Sequence, residues 1–255
     1  MSYLRAIVTL GLFGCAAWAV PATDQPLREF SSWFARPARL PFAWNGVDDA
    51  RARGDAQEAF ARGQQLLELL PSWTLGHAAF AYRYALTQDR RGTADEVAAA
   101  AHQRLNVACA WLEQARIHAG ARELELLQSA AFLAPIACAN FPGLEARLPE
   151  GGAAAMTDAY FEEAEREFPS AAVQEQRLFH FPTLAAALLE SGQRSAALAV
   201  LDTAAARAAE ARDQSHAQEW RDRVVEAAGR LRGAPERPTA VLADRRFEPL
   251  WPHLR

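Results

Sequence analysis

From about residue 45 onward, apolar residues recur at helical spacing, and no run alternates apolar and polar residues as a half-buried strand would. The clearest stripe lies within 93–118, where apolar and small residues return every three or four positions. The same spacing predicts helices over 55–70, 73–86, 93–118, 121–134, 153–168, 171–190, 193–210 and 215–232. The pattern therefore predicts an all-α fold, an array of about eight or nine helices.

Capping residues and prolines set the expected helix ends. Thr93 with Glu96 has the spacing of a capping box. Pro135 is expected to end one helix, and Pro182 is a candidate break within another. The segment 139–152 has the Gly and Pro content of a long loop.

The last residues are too rich in proline for a long helix. Four of their apolar side chains are expected to dock on the helical body: Leu242, Phe247, Leu250 and Trp251. The chain is thus divided into a signal peptide or anchor (1–22), a Pro/aromatic/Arg arm (23–44), a helical domain (45–232) and a Pro-rich C-terminal tail (233–255).

The first segment resembles a targeting signal. Arg5 precedes an uncharged apolar run that ends near residue 20, which is short for a membrane span but typical of a signal-peptide core. A cleaved signal peptide and an uncleaved membrane anchor over 4–20 both fit, and Cys15 adds a lipoprotein signal as a third alternative. More arginines follow the run than precede it, which favours a cytoplasmic body by the positive-inside rule. We expect a periplasmic or other extracytoplasmic protein, with the cytoplasmic face of a membrane as the alternative.

The arm 23–44 mixes Arg with Phe and Trp. Such a segment suits the headgroup region of a bilayer. It equally suits an extended arm that packs its aromatic rings on the first helices. Its three prolines make a long helix unexpected.

Within 181–204, large and small residues alternate as they do in helix hairpins. The pattern comprises Phe181, Leu184, Ala185, Leu188, Ala197, Leu201 and Ala204, and the segment 77–84 has a related pattern. It resembles the tetratricopeptide repeat, a 34-residue helix pair that stacks into arrays, although the helix at 93–118 is long for that family and no regular period is present. The resemblance implies stacked helix pairs whose surface binds a peptide or a protein.

Charge and composition exclude several kinds of chemistry. The net charge of −4 argues against a nucleic-acid partner. All 27 basic residues are Arg, so a Schiff base, a pyridoxal-phosphate anchor and a P-loop lysine are ruled out. The chain has no nucleotide-binding glycine motif and no nucleophile elbow. We expect no cofactor and no metal.

The histidines and cysteines form no recognisable site. His102 and Cys109 share one helix face, but two ligands make a poor metal site. Cys109 and Cys138 are candidates for a disulfide in an exported chain. Their distances from the turn at Gly120 differ by seven residues, which is about 10 Å of helix rise, so the chain must double back to join them.

Two sets of residues are candidates for binding. Trp73, His77 and Tyr84 lie on one stripe of the 73–86 helix. Glu162 and Glu163 belong to a dense acidic run, which is typical of a solvated face but also able to steer a basic partner.

These observations predict a non-enzymatic protein–protein interaction scaffold, exported or anchored to a membrane. One alternative is a structural or accessory subunit of a membrane protein complex, tethered by 4–20 and the arm. Another is an enzyme whose dispersed site combines His77, His102 or His180 with acidic neighbours in a helical groove.

Overall fold

The computed structural model describes residues 39–50, 52–88, 92–210, 214–233 and 240–254, and none of these residues lies in a β-strand. The chain divides into two compact units, one ending at Pro71 and the other beginning at Ser72. The predicted signal peptide or anchor and the arm up to residue 38 lie outside the described residues. No helix of the described ranges combines the length and the apolar character that a membrane crossing requires.

The first unit contributes two described helices, α1 (residues 39–50) and α2 (Ala56–Leu69). Asp55 caps α2 by accepting a hydrogen bond from the backbone N–H of Glu58 at 3.0 Å. Helix α1 includes residues 39–44 of the arm, and the expectation that the arm as a whole forms no long helix falls mostly on residues outside the described ranges. Pro41 is accommodated in α1 because its fixed φ angle is compatible with a helix.

The second unit is a succession of helices, each packed on the next in sequence. The described helices are α3 (Thr74–Ala85), α4 (Ala94–Arg116), α5 (Glu123–Asn140), α6 (Gly152–Glu167), α7 (Ala171–Glu190), α8 (Arg194–Glu210) and α9 (Gln214–Leu231). The first of them also packs on α5. Short 3₁₀ turns at Gly120–Arg122 and Glu145–Arg147 join neighbouring helices. The predicted all-α helical array is confirmed.

Small side chains dominate the helix contacts. One core cluster lies among α3, α4, α5 and the beginning of α6, and another lies among α7, α8, α9 and the C-terminal tail. Alanines such as Ala81, Ala108 and Ala197 are fully or almost fully buried beside leucines such as Leu105 and Leu201. The alanines allow two helix axes to approach closely, and the leucines fill the space between them.

The C-terminal tail docks on the helical body, as predicted. It forms 3₁₀ turns at Val241–Ala243 and Arg245–Leu250 and a short helix, α10 (Trp251–Leu254). Phe247 and Leu250 are fully buried, and the turn that carries them packs against α7. The tail therefore covers an apolar helix face that would otherwise be left open at this end of the helix succession.

The two internal prolines do not act as predicted. Helix α5 continues through Pro135 to Asn140, and α7 is one helix across Pro182. Pro135 has no N–H to donate to the carbonyl of Ala131, four residues earlier. The hydroxyl of Thr157, from α6, supplies the missing hydrogen bond to that carbonyl at 2.7 Å. The prediction that Pro135 ends the helix is wrong because a neighbouring helix satisfies the carbonyl that proline leaves free.

We predict that Thr157→Val lowers the free energy of unfolding by about 1–3 kcal/mol, because it leaves a buried carbonyl without a donor. Thr203→Val is the matched control: like Thr157, whose hydroxyl also lies 2.9 Å from the carbonyl of Ala153, Thr203 contacts the carbonyl four residues earlier, but on an exposed face. Its cost should stay below about 0.5 kcal/mol. Urea unfolding followed by circular dichroism measures both changes.

The link to the proline is tested by a double-mutant cycle. In a Pro135→Ala background, the new N–H can donate to the Ala131 carbonyl, so Thr157→Val should cost less there. Equal costs in the two backgrounds would show that Thr157 does not compensate for the proline.

Candidate functional site

A buried arginine joins α4, α5 and α6. The side chain of Arg116 is only 10% exposed, and its guanidinium contacts four carboxylates at 2.6–2.9 Å: Glu113, Glu123, Glu163 and Glu167. Burial alone lowers the pKa of Arg116, but the hydrogen bonds that it donates to Glu163 and Glu123 outweigh burial and raise the pKa above its ordinary value. The Arg116 guanidinium therefore stays charged and links the three helices through its ion pairs.

A second buried arginine joins α6 to α7 and α8. Arg177, whose side chain is 8% exposed, contacts Asp158, Glu162 and Glu165 of α6, each at 3.0 Å. Glu165 in turn binds Arg207 of α8, with Oε1 at 2.6 Å from Nη1. The fork of an arginine suits such multiple carboxylate contacts.

The sequence suggested that the acidic run of α6 is a solvated face. The structure shows that it is not purely solvated. Glu163 and Glu167 bind Arg116 on one side, while Glu162 and Glu165 bind Arg177 on the other. Burial raises the pKa of the Glu165 carboxyl, but hydrogen bonds from Arg207 and Arg177 outweigh it and hold the pKa below its ordinary value. Each of these four carboxylates is therefore bound to an arginine of this chain.

Two residues of the second arginine cluster, Glu165 and Arg207, line a groove. This groove has a volume of about 1040 Å³ and lies between α7, the end of α8, the first half of α9 and the C-terminal tail. Among its lining residues are Glu165, Gln174, Glu175, Leu178, Phe179, Arg207, Glu210, Trp220 and Arg246. We call it the α7–α9 groove.

An aromatic group with an arginine stacked on it forms the opposite part of the groove. The Phe179 ring is 40% exposed and meets the buried Trp220 ring edge-on, with centroids 5.1 Å apart. The guanidinium of Arg246 lies 5.0 Å from the Trp220 centroid and 5.7 Å from that of Phe179. Phe247 packs behind Trp220 at 4.7 Å. The exposed ring is thus held in a fixed position.

The structure separates the predicted binding residues into different environments. Trp73 is exposed and lies over Gly76, where a Cβ would come within 2.3 Å of the indole. His77 is buried, 5.6 Å from the ring of Trp111, and Tyr84 stacks on Phe80 at 6.4 Å. The other two, Glu162 and Glu163, belong to the two arginine clusters. None of the five lines the α7–α9 groove.

The three histidines considered for a dispersed active site make separate contacts on three helices. His77 packs in the aromatic group of α3, and His102 contacts Asn106 on α4 at 3.3 Å. His180 donates from Nε2 to the carbonyl of Ala154 at 2.8 Å, and burial lowers its pKa. These contacts bring no two of the three histidines together.

Cys109 and Cys138 are free thiols. Burial raises the pKa of Cys109, which has a hydrogen bond with Tyr160. Burial, followed by a hydrogen bond and the charge of Glu145, raises the pKa of Cys138 to about 12. Each thiol has its own partner in the structure, and a disulfide formed on oxidation stays a prediction.

Sequence reasoning missed the groove residues. Glu175 and Phe179 are four residues apart and share one face of α7, a signal that the sequence contains. Trp220 and Arg246 reach the same place from α9 and from the tail. Their meeting depends on how the tail docks, which no local pattern specifies.

We predict that Arg177→Met lowers the free energy of unfolding by about 3–5 kcal/mol at neutral pH, because Asp158, whose side chain is only 15% exposed, loses its cation and Glu165 keeps only Arg207. Arg166→Met on the same region is the control, since that side chain is 68% exposed, and it should cost below about 0.5 kcal/mol. Chemical unfolding measures both.

The contribution of the Arg177–Glu165 ion pair to stability should depend on pH. The lowered pKa of Glu165 means that its stabilising contribution is present above the pKa of the unfolded chain and is lost as the pH falls through the folded pKa. The difference between wild type and Arg177→Met should therefore stay constant from pH 7 to about pH 5 and narrow as the pH falls further towards about pH 3. A difference that widened on acidification would contradict the ion-pair assignment.

We predict that Cys138 reacts slowly with iodoacetamide in the native protein at about pH 8, because only the thiolate reacts. Glu145→Gln should speed the reaction, since it removes the charge but keeps an acceptor for the backbone N–H of Ala153. Glu190→Gln is the distant control and should leave the rate unchanged. Peptide mass spectrometry of the labelled chain measures each rate, and equal rates in all three proteins would contradict the role of Glu145.

No protein-family model, curated protein or solved structure shows significant similarity to this chain.

Proposed function

We propose that this chain is a non-enzymatic interaction scaffold, a divergent array of the tetratricopeptide-repeat type that binds a segment of a partner protein. The observation that carries the proposal is the α7–α9 groove, a concave surface with an exposed, rigidly held Phe179. Exposed aromatic side chains with fixed geometry are the usual anchors of protein interfaces.

The packing of α7 and α8 supports the repeat-type assignment. Phe181, Leu184 and Ala185 of α7 are buried in the same core cluster as Ala197, Leu201 and Ala204 of α8. These are the positions at which the sequence resembles the repeat family. Helix pairs that pack in succession build surfaces at their ends and faces that bind extended segments.

The groove is larger than a small-molecule site needs. Pockets for small ligands measure about 300–1,000 Å³ and are mostly enclosed by apolar side chains. The α7–α9 groove lies just above that range, at about 1040 Å³, and its lining includes several charged and polar side chains. A polypeptide segment fits this composition better than a small apolar compound.

The proposal also places the body outside the cytoplasm, released or held by residues 4–20. The apolar run after Arg5 supports export. N-terminal sequencing of the chain isolated from its host identifies the form: a new N-terminus near residue 20 or 23 indicates cleavage, and an intact one indicates an anchor.

Site-specific photocrosslinking in the host tests the binding function. Benzoylphenylalanine at position 179 should give a discrete protein adduct. The same residue at position 225, which is an exposed valine of α9 outside the groove, should not. Adducts of equal yield at both positions, or none at either, would overturn the proposal. A native gel of the detergent extract then separates a permanent complex subunit, which migrates stoichiometrically with its partner, from a transient scaffold.

A further inference from the structure

We infer that the α7–α9 groove selects a basic segment of the partner, in which an Arg or Lys is next to an apolar side chain. The inference rests on the proposed function and names the chemistry of its ligand. This chain already neutralises some charged side chains of the groove and leaves others for a partner. The inference follows from that difference.

The two arginines of the groove are already paired. Arg207 binds Glu165, with 2.6 Å between Nη1 and Oε1. Arg246 makes a two-point contact with Asp244, Nε to Oδ1 at 2.9 Å and Nη2 to Oδ2 at 2.6 Å. The hydrogen bond from Arg246 lowers the pKa of Asp244, so the carboxylate stays ionised. An acidic ligand would have to displace one of these carboxylates.

Two carboxylates of the groove are not paired. Glu175 on α7 and Glu210 at the end of α8 both line the groove and are exposed, and neither forms a hydrogen bond or an ion pair with any described residue. Arginines bind the carboxylates of α6, whereas these two carboxylates lie in the groove without such a partner. A cation of a partner would be the first to neutralise them.

The aromatic part of the groove lies next to this negative charge. Glu175 and Phe179 are neighbours on one face of α7, four residues apart. Trp220 supports the Phe179 ring. The buried indole N–H of Trp220 has no acceptor among the described residues, which is uncommon for a buried donor. An apolar side chain on Phe179 would place the adjacent residue of the same segment near Glu175.

The two features together define the occupant. The carboxylates provide charge complementarity to Arg or Lys, and the exposed ring provides a contact for an apolar neighbour. Because Phe179 is already fixed by Trp220 and Arg246, its contact with a ligand costs little ordering. An acidic segment would meet two unneutralised carboxylates and be repelled.

The test uses the full-length chain purified in detergent and fluorescein-labelled synthetic decapeptides. One central position is Arg, Lys, Gln or Glu, and its neighbours are Tyr, Leu or Ala. Fluorescence anisotropy should show Arg and Lys peptides with Tyr or Leu neighbours binding at least about tenfold more tightly than the matched Glu peptides. Added salt should weaken the binding.

The double variant Glu175→Gln with Glu210→Gln should weaken binding of the basic peptides about tenfold, since two exposed ion pairs are each worth a few-fold. The matched control is Glu190→Gln with Glu248→Gln, which removes the same charge from two exposed carboxylates outside the groove. Its affinity should equal that of the wild type. Phe179→Ala should remove the preference for Tyr or Leu neighbours but keep the preference for a cation.

Equal binding of Glu and Arg peptides, no binding of any peptide, or equal loss in the two double variants would overturn the inference. These outcomes are distinguishable from failure of the proposed function. A partner crosslinked through position 179 by an acidic or neutral segment would leave the scaffold function standing and refute the basic specificity. The absence of any crosslinked partner would refute the scaffold function itself.

Discussion

The rest of the second unit depends on the charge balance of α6. This helix presents carboxylates on two sides, and each side holds an arginine that is about nine-tenths buried, Arg116 or Arg177. Taking a guanidinium out of water is costly unless several carboxylates surround it. Because α6 contributes carboxylates to both arginines, it is ion-paired with α4 on one side and with α7 on the other. The two apolar cores flank this ionic layer.

The same balance determines the chemistry of the groove. Glu165 is bound by both Arg177 and Arg207, so the arginine of α8 is committed to the structure and unavailable to a ligand. Arg246 is likewise committed to Asp244. The groove also contains the exposed ring of Phe179 and two carboxylates, Glu175 and Glu210, that are not bound to any arginine of the described residues.

The prolines show where local patterns mislead. Sequence spacing alone gives Pro135 as a helix end, since the residue lacks the N–H that the helix needs. The structure supplies the missing hydrogen bond from Thr157, which is 22 positions further along the chain and on another helix. The local rule is correct that the proline costs the helix a hydrogen bond. It is wrong that the helix ends there, because a contact from another helix replaces that hydrogen bond.

The sequence by itself determined the all-α class, most helix limits and the Thr93–Glu96 capping box, because each depends on spacing within a short segment. It also indicated that apolar residues of the tail dock on the helical body, but not where they dock. Only the tertiary structure decided that the acidic run of α6 is divided between two arginines, that α5 passes through Pro135, and that Phe179, Trp220 and Arg246 share one groove. The physical reason is the separation along the sequence over which each interaction acts. Helix periodicity is set by hydrogen bonds four residues apart, whereas ion pairs and ring contacts join residues that are adjacent only after the helices have packed.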